Sequence, residues 1–442
     1  MHRKQILILG FSLVAFFSVV AQKTVLLSNV TIFNGKDNKT VQGHVLITGN
    51  QITRISSSPI PVNKSANTTV IDGKGKFLMP GLIDAHAHTL MDAIPLHLGL
   101  TSEIGYLNLY AAASAEKQLM RGFTTVRDVG GPAFTLKKAI DEGLAKGPRI
   151  YPSGATISQT GGHGDFGAYT DVPRIPGQLS YLERTGLTII ADGADQVLLR
   201  TRELLRQGAT QIKVMAGGGV SSSYDPLDVN QYTEEEIKAA VNAAGAWNTY
   251  VTVHAYTPTA IQAAIKAGVK CIEHGQLADE ETVKLMAEKG TWWSLQPFLD
   301  DVDAIPFPEG SDARKKQLQM VKGTDNAYAL AKKYKIKTAF GTDCLFDPKL
   351  ADRQGAQLAK LIRWYTPFEL LAMATSTNAE LLAMSGPRNP YPNKLGVIEE
   401  GAYADLILVD GNPLQNIQLI ADPGKNFLLI MKDGVVYKNV IR

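Results

Sequence analysis

The sequence predicts a (β/α)8 barrel, a TIM barrel, carrying a small β-sandwich domain built from both chain ends. Three observations predict it. Short apolar strands alternate with alanine- and leucine-rich helical patterns eight times over about 300 residues. Runs that alternate apolar and polar residues between Gly, Asn and Asp turns stand before and after that rhythm, as antiparallel β structure requires. Histidines, a lysine and an aspartate stand at the ends of the barrel strands, where such barrels carry their chemistry. The expected division is a segment 1–21, a barrel over 80–387, and a composite sandwich over 22–79 and 388–442.

The first segment, "MHRKQILILGFSLVAFFSVVA", puts basic residues before an apolar run and then small residues. It reads as a secretory signal peptide cleaved near Ala21, so the expected location is periplasmic or secreted. The run is short for a membrane span and lacks a basic flank after it, and no cysteine follows to carry a lipid anchor. The net charge of +3 includes Arg3 and Lys4 of a segment that contains no acid, so its removal leaves +1. That balance predicts neither a nucleic-acid partner nor membrane association after cleavage, and the sequence admits a homo-oligomer. With 442 residues, 45% of them hydrophobic and 20% charged, the chain can bury a large core.

"TVLLSNVTIF", "HVLITGNQITRIS" and "TVIDGKGKFLMPG" supply the N-terminal half of the sandwich, "GVIEEGAYADLILVD" and "NFLLIMKDGVVYKNV" the other half. The eight barrel strands are "GLIDAHAH", "FTTVRDVG", "RIYPSG", "TQIKVMAGGG", "YVTVHAY", "KCIEHG", "TWWSLQ" and "TAFGTD". Helical periodicity marks "NLYAAASAEKQLMRG", "ADQVLLRTRELLRQG", "TEEEIKAAVNAAGAWN", "PTAIQAAIKAG" and "DEETVKLMAEKG". The segment Phe298 to Tyr334, rich in Asp, Lys and Pro, is expected to be partly helical and to lie near the site as a lid.

In a strand, residues two apart share a face, so His86 and His88 aim both imidazoles at one spot. Lys213, His254, His274 and Asp343 join them at the ends of the fourth, fifth, sixth and eighth strands. Each alone has an ordinary reading: a core histidine, a snorkelling lysine, a helix-capping aspartate. Together at one open face they read as metal ligands. Lys213 is the oddity, because an apolar strand excludes an unpaired ammonium and a cation does not face metal ions. A lysine of depressed pKa that adds carbon dioxide becomes a carbamate, an anionic ligand with two oxygens. Cys271 and Cys344 lie beside candidate ligands on different strands and are not expected to pair.

The stretches "GLIDAHAH", "IKVMAGGGVSS", "VTVHAY", "IEHG", "FGTD" and "GVIEEGAYADLILVDGNPL" resemble the amidohydrolase superfamily, and more narrowly its Xaa-Pro dipeptidase and imidazolonepropionase-like branch. The resemblance implies a binuclear metal centre. One metal would be held by His86, His88, carbamylated Lys213 and Asp343, and the second by the same carbamate with His254 and His274. Zinc is the metal implied, in a site that also accepts other divalent ions. A hydroxide bridging the two ions would attack an amide carbonyl, with Asp343 as general base and then acid.

Glycines flank His163 in "SQTGGHGDFGAY", which leaves the catalytic face and is similar to a stretch in the dipeptidase branch; His163 is expected to contact substrate and to assist catalysis. Tyr224, in "GGGVSSSYDPLD", and Tyr256, two beyond His254, are further substrate-binding candidates. Gly217 stands where the family often has serine, so no hydroxyl acts from that position. Arg127 and Asp128 are expected in supporting contacts, and His97 and the "TWWSLQP" aromatics in packing. The function expected is an exported amidohydrolase acting on a dipeptide, Xaa-Pro or similar, or on an N-acyl or aryl-acyl amino acid. Opening of a cyclic amide is the alternative enzyme reading, and a non-catalytic metal- or ligand-binding barrel the alternative from outside catalysis.

Overall fold

A computed structural model describes residues 22–63, 65–175 and 177–441. Residues 1–21, the expected signal peptide, lie outside the described residues. The chain begins with five strands, Thr24–Phe33 (β1), Thr40–Thr48 (β2), Gln51–Ser56 (β3), Thr68–Asp72 (β4) and Phe77–Pro80 (β5). Barrel strands follow: Leu82–Ala87 (β6), Phe123–Asp128 (β7), Arg149–Pro152 (β8), Thr156–Ser158 (β9), Thr188–Ile190 (β10), Ile212–Met215 (β11), Val251–Ala255 (β12), Cys271–His274 (β13), Trp292–Ser294 (β14) and Thr338–Ala339 (β15). Leu406–Val409 (β16), Phe427–Lys432 (β17) and Val435–Asn439 (β18) end it.

The two chain ends build one continuous eight-stranded sheet, ordered β18-β17-β16-β5-β1-β2-β3 with β4 on β1. Ile52 N–H, on the edge strand β3, donates to Ala402 O at 2.9 Å, so the chain just ahead of β16 lies against that edge. The alternation in β1 decides both faces. Val25 and Leu27 and, beyond a bulge, Val30 and Ile32 point inward with Val45, Ile47, Leu406 and Leu429. Phe33 points the other way with Phe77, Met79, Ile407 and Phe427, and these pack into the large core shared with the barrel. Arg149, at the start of β8, is buried against Asp405 and Asp433 and pins the two parts together.

The barrel strands run parallel in two stretches, β6-β7-β8 and β10-β9-β11-β12-β13-β14-β15. The third expected strand is thus interrupted after Pro152 and resumes as β9, while β10 is an addition that pairs with β9. Ala85 N–H donates to Phe340 O and Asp343 N–H to His86 O, both at 2.9 Å, closing one seam; Thr210 N–H to Pro152 O at 2.8 Å lies along the other. All five helices read from the periodicity form. Thr233 caps Glu234–Ala246 by accepting from Glu236 N–H, and Asp279 caps Glu280–Lys289 by accepting from Thr282 N–H. Gly208, Gly268 and Gly290 end helices in the left-handed conformation that glycine takes most readily. Among the described residues no helix is long and apolar enough to cross a membrane.

Candidate metal centre and active site

The parallel register sets the depth of each side chain. His274 is the last residue of β13, while His86 and His254 are each one residue before the ends of β6 and β12. Lys213 lies deeper than a strand end: it pairs with Thr252, two residues below His254. Its long stem brings it to the same cavity. Asp343 lies four residues beyond β15, at the end of a loop that Gly341 lets pass against His86, since a Cβ there would stand 2.4 Å from the His86 Cβ. His274 and Asp343 both hold positive φ, +75° and +52°, a backbone region that residues other than glycine enter rarely and that clusters at functional sites.

Asp343 Oδ1 lies 3.3 Å from His86 Nε2 and 3.2 Å from His88 Nε2. One ligand atom from each of His86, His274 and Asp343 falls within 4.8 Å of the others, a triangle that one ion can span. His274 stands 4.9 Å from His86 and 4.5 Å from His254, ring centre to ring centre. The remaining ring nitrogens are tied from behind. His86 Nδ1 is 2.7 Å from Glu273 Oε2, His88 Nδ1 3.0 Å from Gly130 O, and His254 Nε2 3.1 Å from Gly218 O. His86 Nε2 and His274 Nδ1, by contrast, are buried with no hydrogen-bond partner. Buried polar nitrogens are rarely left so, and imidazole nitrogens beside a carboxylate are the donor set a divalent ion takes.

The electrostatics agree with that donor set. Burial holds His254 and His274 well below the ordinary histidine value, so both are neutral. Burial also lowers the Lys213 ammonium, against the pull of Glu273 and Asp343 and with the help of Arg127. Burial raises the Asp343 carboxyl, but His86, His88 and His274 outweigh it and keep the group well below the carboxylate range.

Glu273 was not singled out by the sequence reading. Its Oε1 accepts from Arg127 Nη2 at 2.6 Å and from the Thr252 hydroxyl, and all three side chains are buried. A carboxylate within the apolar strand "KCIEHG" is the signal that could have found it. Arg127 and Asp128 take supporting contacts as expected, Asp128 accepting from Thr89 N–H at 2.7 Å. Cys271 and Cys344 are both free and buried.

Of the substrate-contact candidates, the structure brings two to the cavity. His163 stacks on His254 at 4.1 Å, and Tyr256 packs against His254 at 4.9 Å and His274 at 5.2 Å. Tyr224 does not reach it: the residue is exposed and its hydroxyl donates to Gly167 O at 2.9 Å, joining two loops at the rim. Apolar walls flank this cluster of donors. Met91, Leu187 and Phe346 belong to one cluster, and Phe298, Phe307 and Met320 to another. The second comes from the segment expected as a lid, which contains the helices Asp312–Val321 and Thr324–Lys333.

Comparison with known proteins agrees with this geometry. The model of the amidohydrolase family matches residues 77–437. An ochratoxinase of Aspergillus niger is 32% identical over 417 residues, covering 91% of this chain and 84% of the fungal protein. A crystal structure of an amidohydrolase superposes with a TM-score of 0.86 at 37% identity, over 95% of this chain and all of that one. A prolidase crystallised with N-methylphosphonate-L-proline gives 0.84 at 34% identity, over 94% of this chain and all of the prolidase.

Proposed function

The chain belongs to the amidohydrolase family and is a hydrolase of C–N amide bonds; from that premise we propose that its substrate is a dipeptide of the Xaa-Pro type or an N-acyl or aryl-acyl amino acid. The observation that carries this reading is one cavity that holds the His86, His274 and Asp343 triangle together with Lys213, His254 and His163 between apolar walls. The prolidase relative supports the dipeptide branch. The apolar lining, with Met91, Leu187 and Phe346 on one side and Phe298, Phe307 and Met320 on the other, supports an apolar acyl or side-chain group.

In this reading His86, His88, Asp343 and Lys213 would hold one divalent ion, and Lys213, His254 and His274 a second; zinc is the proposed metal. Lys213 acts as its carbamate, which forms when the neutral amine adds carbon dioxide and releases a proton, and burial of the amine supports that state. Divalent ions held there would supply a water of lowered pKa and polarise a carbonyl oxygen. Asp343 takes the proton of the attacking water on a carboxylate oxygen and passes it to the leaving nitrogen. His163 offers the ring edge opposite Nδ1 to the carbonyl or the terminal carboxylate of the substrate, while Tyr256 and the apolar walls exclude bulk water. Residues 1–21 support export, which suits an enzyme acting on scavenged peptides.

Amine release by the metal-loaded mature protein, measured on Xaa-Pro dipeptides, other dipeptides and N-acyl amino acids, tests the proposal. Release that stops on chelation is the expected result, and the rank order selects the branch. Turnover confined to cyclic amides would overturn it.

A further inference from the structure

His163 sits on a loop with no strand or helix to stiffen it, yet its imidazole is held at two points and its backbone at a third. Its ring stacks on His254, its Nδ1 lies 2.7 Å from Ser222 Oγ, and its backbone N–H donates to Gln231 Oε1 at 2.9 Å. Ser222 and Gln231 both come from the long connection after β11. That connection is drawn together by Asp225, whose buried Oδ2 accepts from Gly219 N–H at 2.8 Å and Gln231 Nε2 at 3.1 Å. Asp225 Oδ2 also stands 3.7 Å from His163 Nδ1.

The connection is in turn gripped from above. Lys316, on the helix Asp312–Val321, donates to Ser222 O at 2.7 Å and to Asp225 O at 3.2 Å. Among the described residues Lys316 makes no ion pair; both of its hydrogen bonds go to the backbone of this one loop. Met320 and Gln317 of the same helix line the cavity. A chain of contacts therefore runs from the apolar cap through Lys316 and Ser222 to the imidazole, with Asp225 beside it.

We propose that Ser222 and Lys316 are positioning residues, Ser222 fixing the ring of His163 and Lys316 fixing Ser222 to the cap helix, so that the seating of the cap sets the ring edge presented to the substrate. This rests on the reading of His163 as a substrate contact. It makes the cap more than a wall: a substrate that displaces the helix also displaces His163. An ammonium suits this link, because it can satisfy two carbonyls of a turn that no strand or helix pairs.

The test measures kcat and KM of Ser222→Ala, Lys316→Met, His163→Asn and the paired variants, on the best substrate of the panel above. Ser222→Ala and Lys316→Met are each expected to lower kcat/KM by about 10- to 100-fold. The loss should fall in the same parameter, kcat or KM, that His163→Asn changes. Either substitution added to His163→Asn should cost nothing more, whereas a loss through general loosening of the fold would add in full. Ser222→Thr and Lys316→Arg, which keep the donors, should restore most of the rate. Independently of turnover, the imidazole nitrogen resonances of His163 should shift in Ser222→Ala and Lys316→Met. Unchanged resonances, or losses additive with His163→Asn, would overturn the inference. Kinetics unaffected by His163→Asn, with the resonances shifted, would instead remove the substrate-contact reading and leave the positioning network standing.

Discussion

Glu273 and His86 meet through a 2.7 Å contact between Oε2 and Nδ1, which turns His86 so that Nε2 faces Asp343. The two residues are neighbours only across the barrel. Burial alone would raise the Glu273 carboxyl, but Arg127 and His86 hold it well below the ordinary glutamate value, so it is an anion that orients the ring. Glu273→Gln is expected to weaken metal retention about 10- to 100-fold, read by competition with a chelator. It should also cost about 3 kcal/mol of stability in urea, because Arg127 is left as a buried charge without its counter-ion.

Metal affinity should fall as the solution is acidified. Burial lowers His88, but the hydrogen bond and charge of Asp343 outweigh it and raise the imidazole above the ordinary histidine value. Below that raised pKa the ring carries a proton that an incoming ion must displace, so binding weakens as pH drops through it and each loading releases a proton. Calorimetric titration of the metal-free protein in buffers of different ionisation enthalpy, between about pH 6 and 8, measures that proton.

Asp343→Asn should lower kcat by about 10²- to 10⁴-fold, the range of a lost general base and acid, while most of the metal is retained. Metal analysis alongside steady-state rates checks both halves. Unchanged turnover would remove Asp343 from its assigned role.

The cap is held down by charge. Asp303, with its side chain 4% exposed, lies between Arg353 and Lys360, while Asp300 and Arg314 pair within the cap itself at 2.8 Å. Burial raises the Asp303 carboxyl, but the bonds from Arg353 and Lys360 lower it further, so its net shift is downward. The contribution of the pair is therefore present above the ordinary aspartate value and is lost as pH falls through the lower folded value. Asp303→Asn at neutral pH should speed tryptic cleavage at Arg314 and Lys315 about tenfold, with the barrel intact.

Gly219 is where backbone and ring come closest: a Cβ there would stand 1.8 Å from His163 Nδ1. Gly219→Ala is expected to push the imidazole aside and lower kcat/KM about 10²-fold, with metal content unchanged.

The proposed ligand set was legible because ionisable residues in apolar strands are costly and rarely accidental; His254 in "YVTVHAY" and Lys213 in "TQIKVM" stand out against their neighbours. Glu273 carries the same signal in "KCIEHG", although alternation points it to the opposite side of the strand from His274. Tyr224 failed for a different reason. Its place in the chain lies close to Lys213, but loop residues have no periodicity, and the hydrogen bond to Gly167 takes its hydroxyl to the rim.

By itself the sequence determined the alternation of strands and helices, the β character of both ends, the helix caps and the donor types at the strand ends. These are encoded in spacings of two to four residues, within reach of local sterics and capping. The tertiary structure alone decided what stands behind each donor. Glu273 supports His86 from 187 residues away, and Lys316 reaches Ser222 from 94 residues away. Such contacts come from barrel closure and from the docking of the cap, which bring together residues that no local pattern relates.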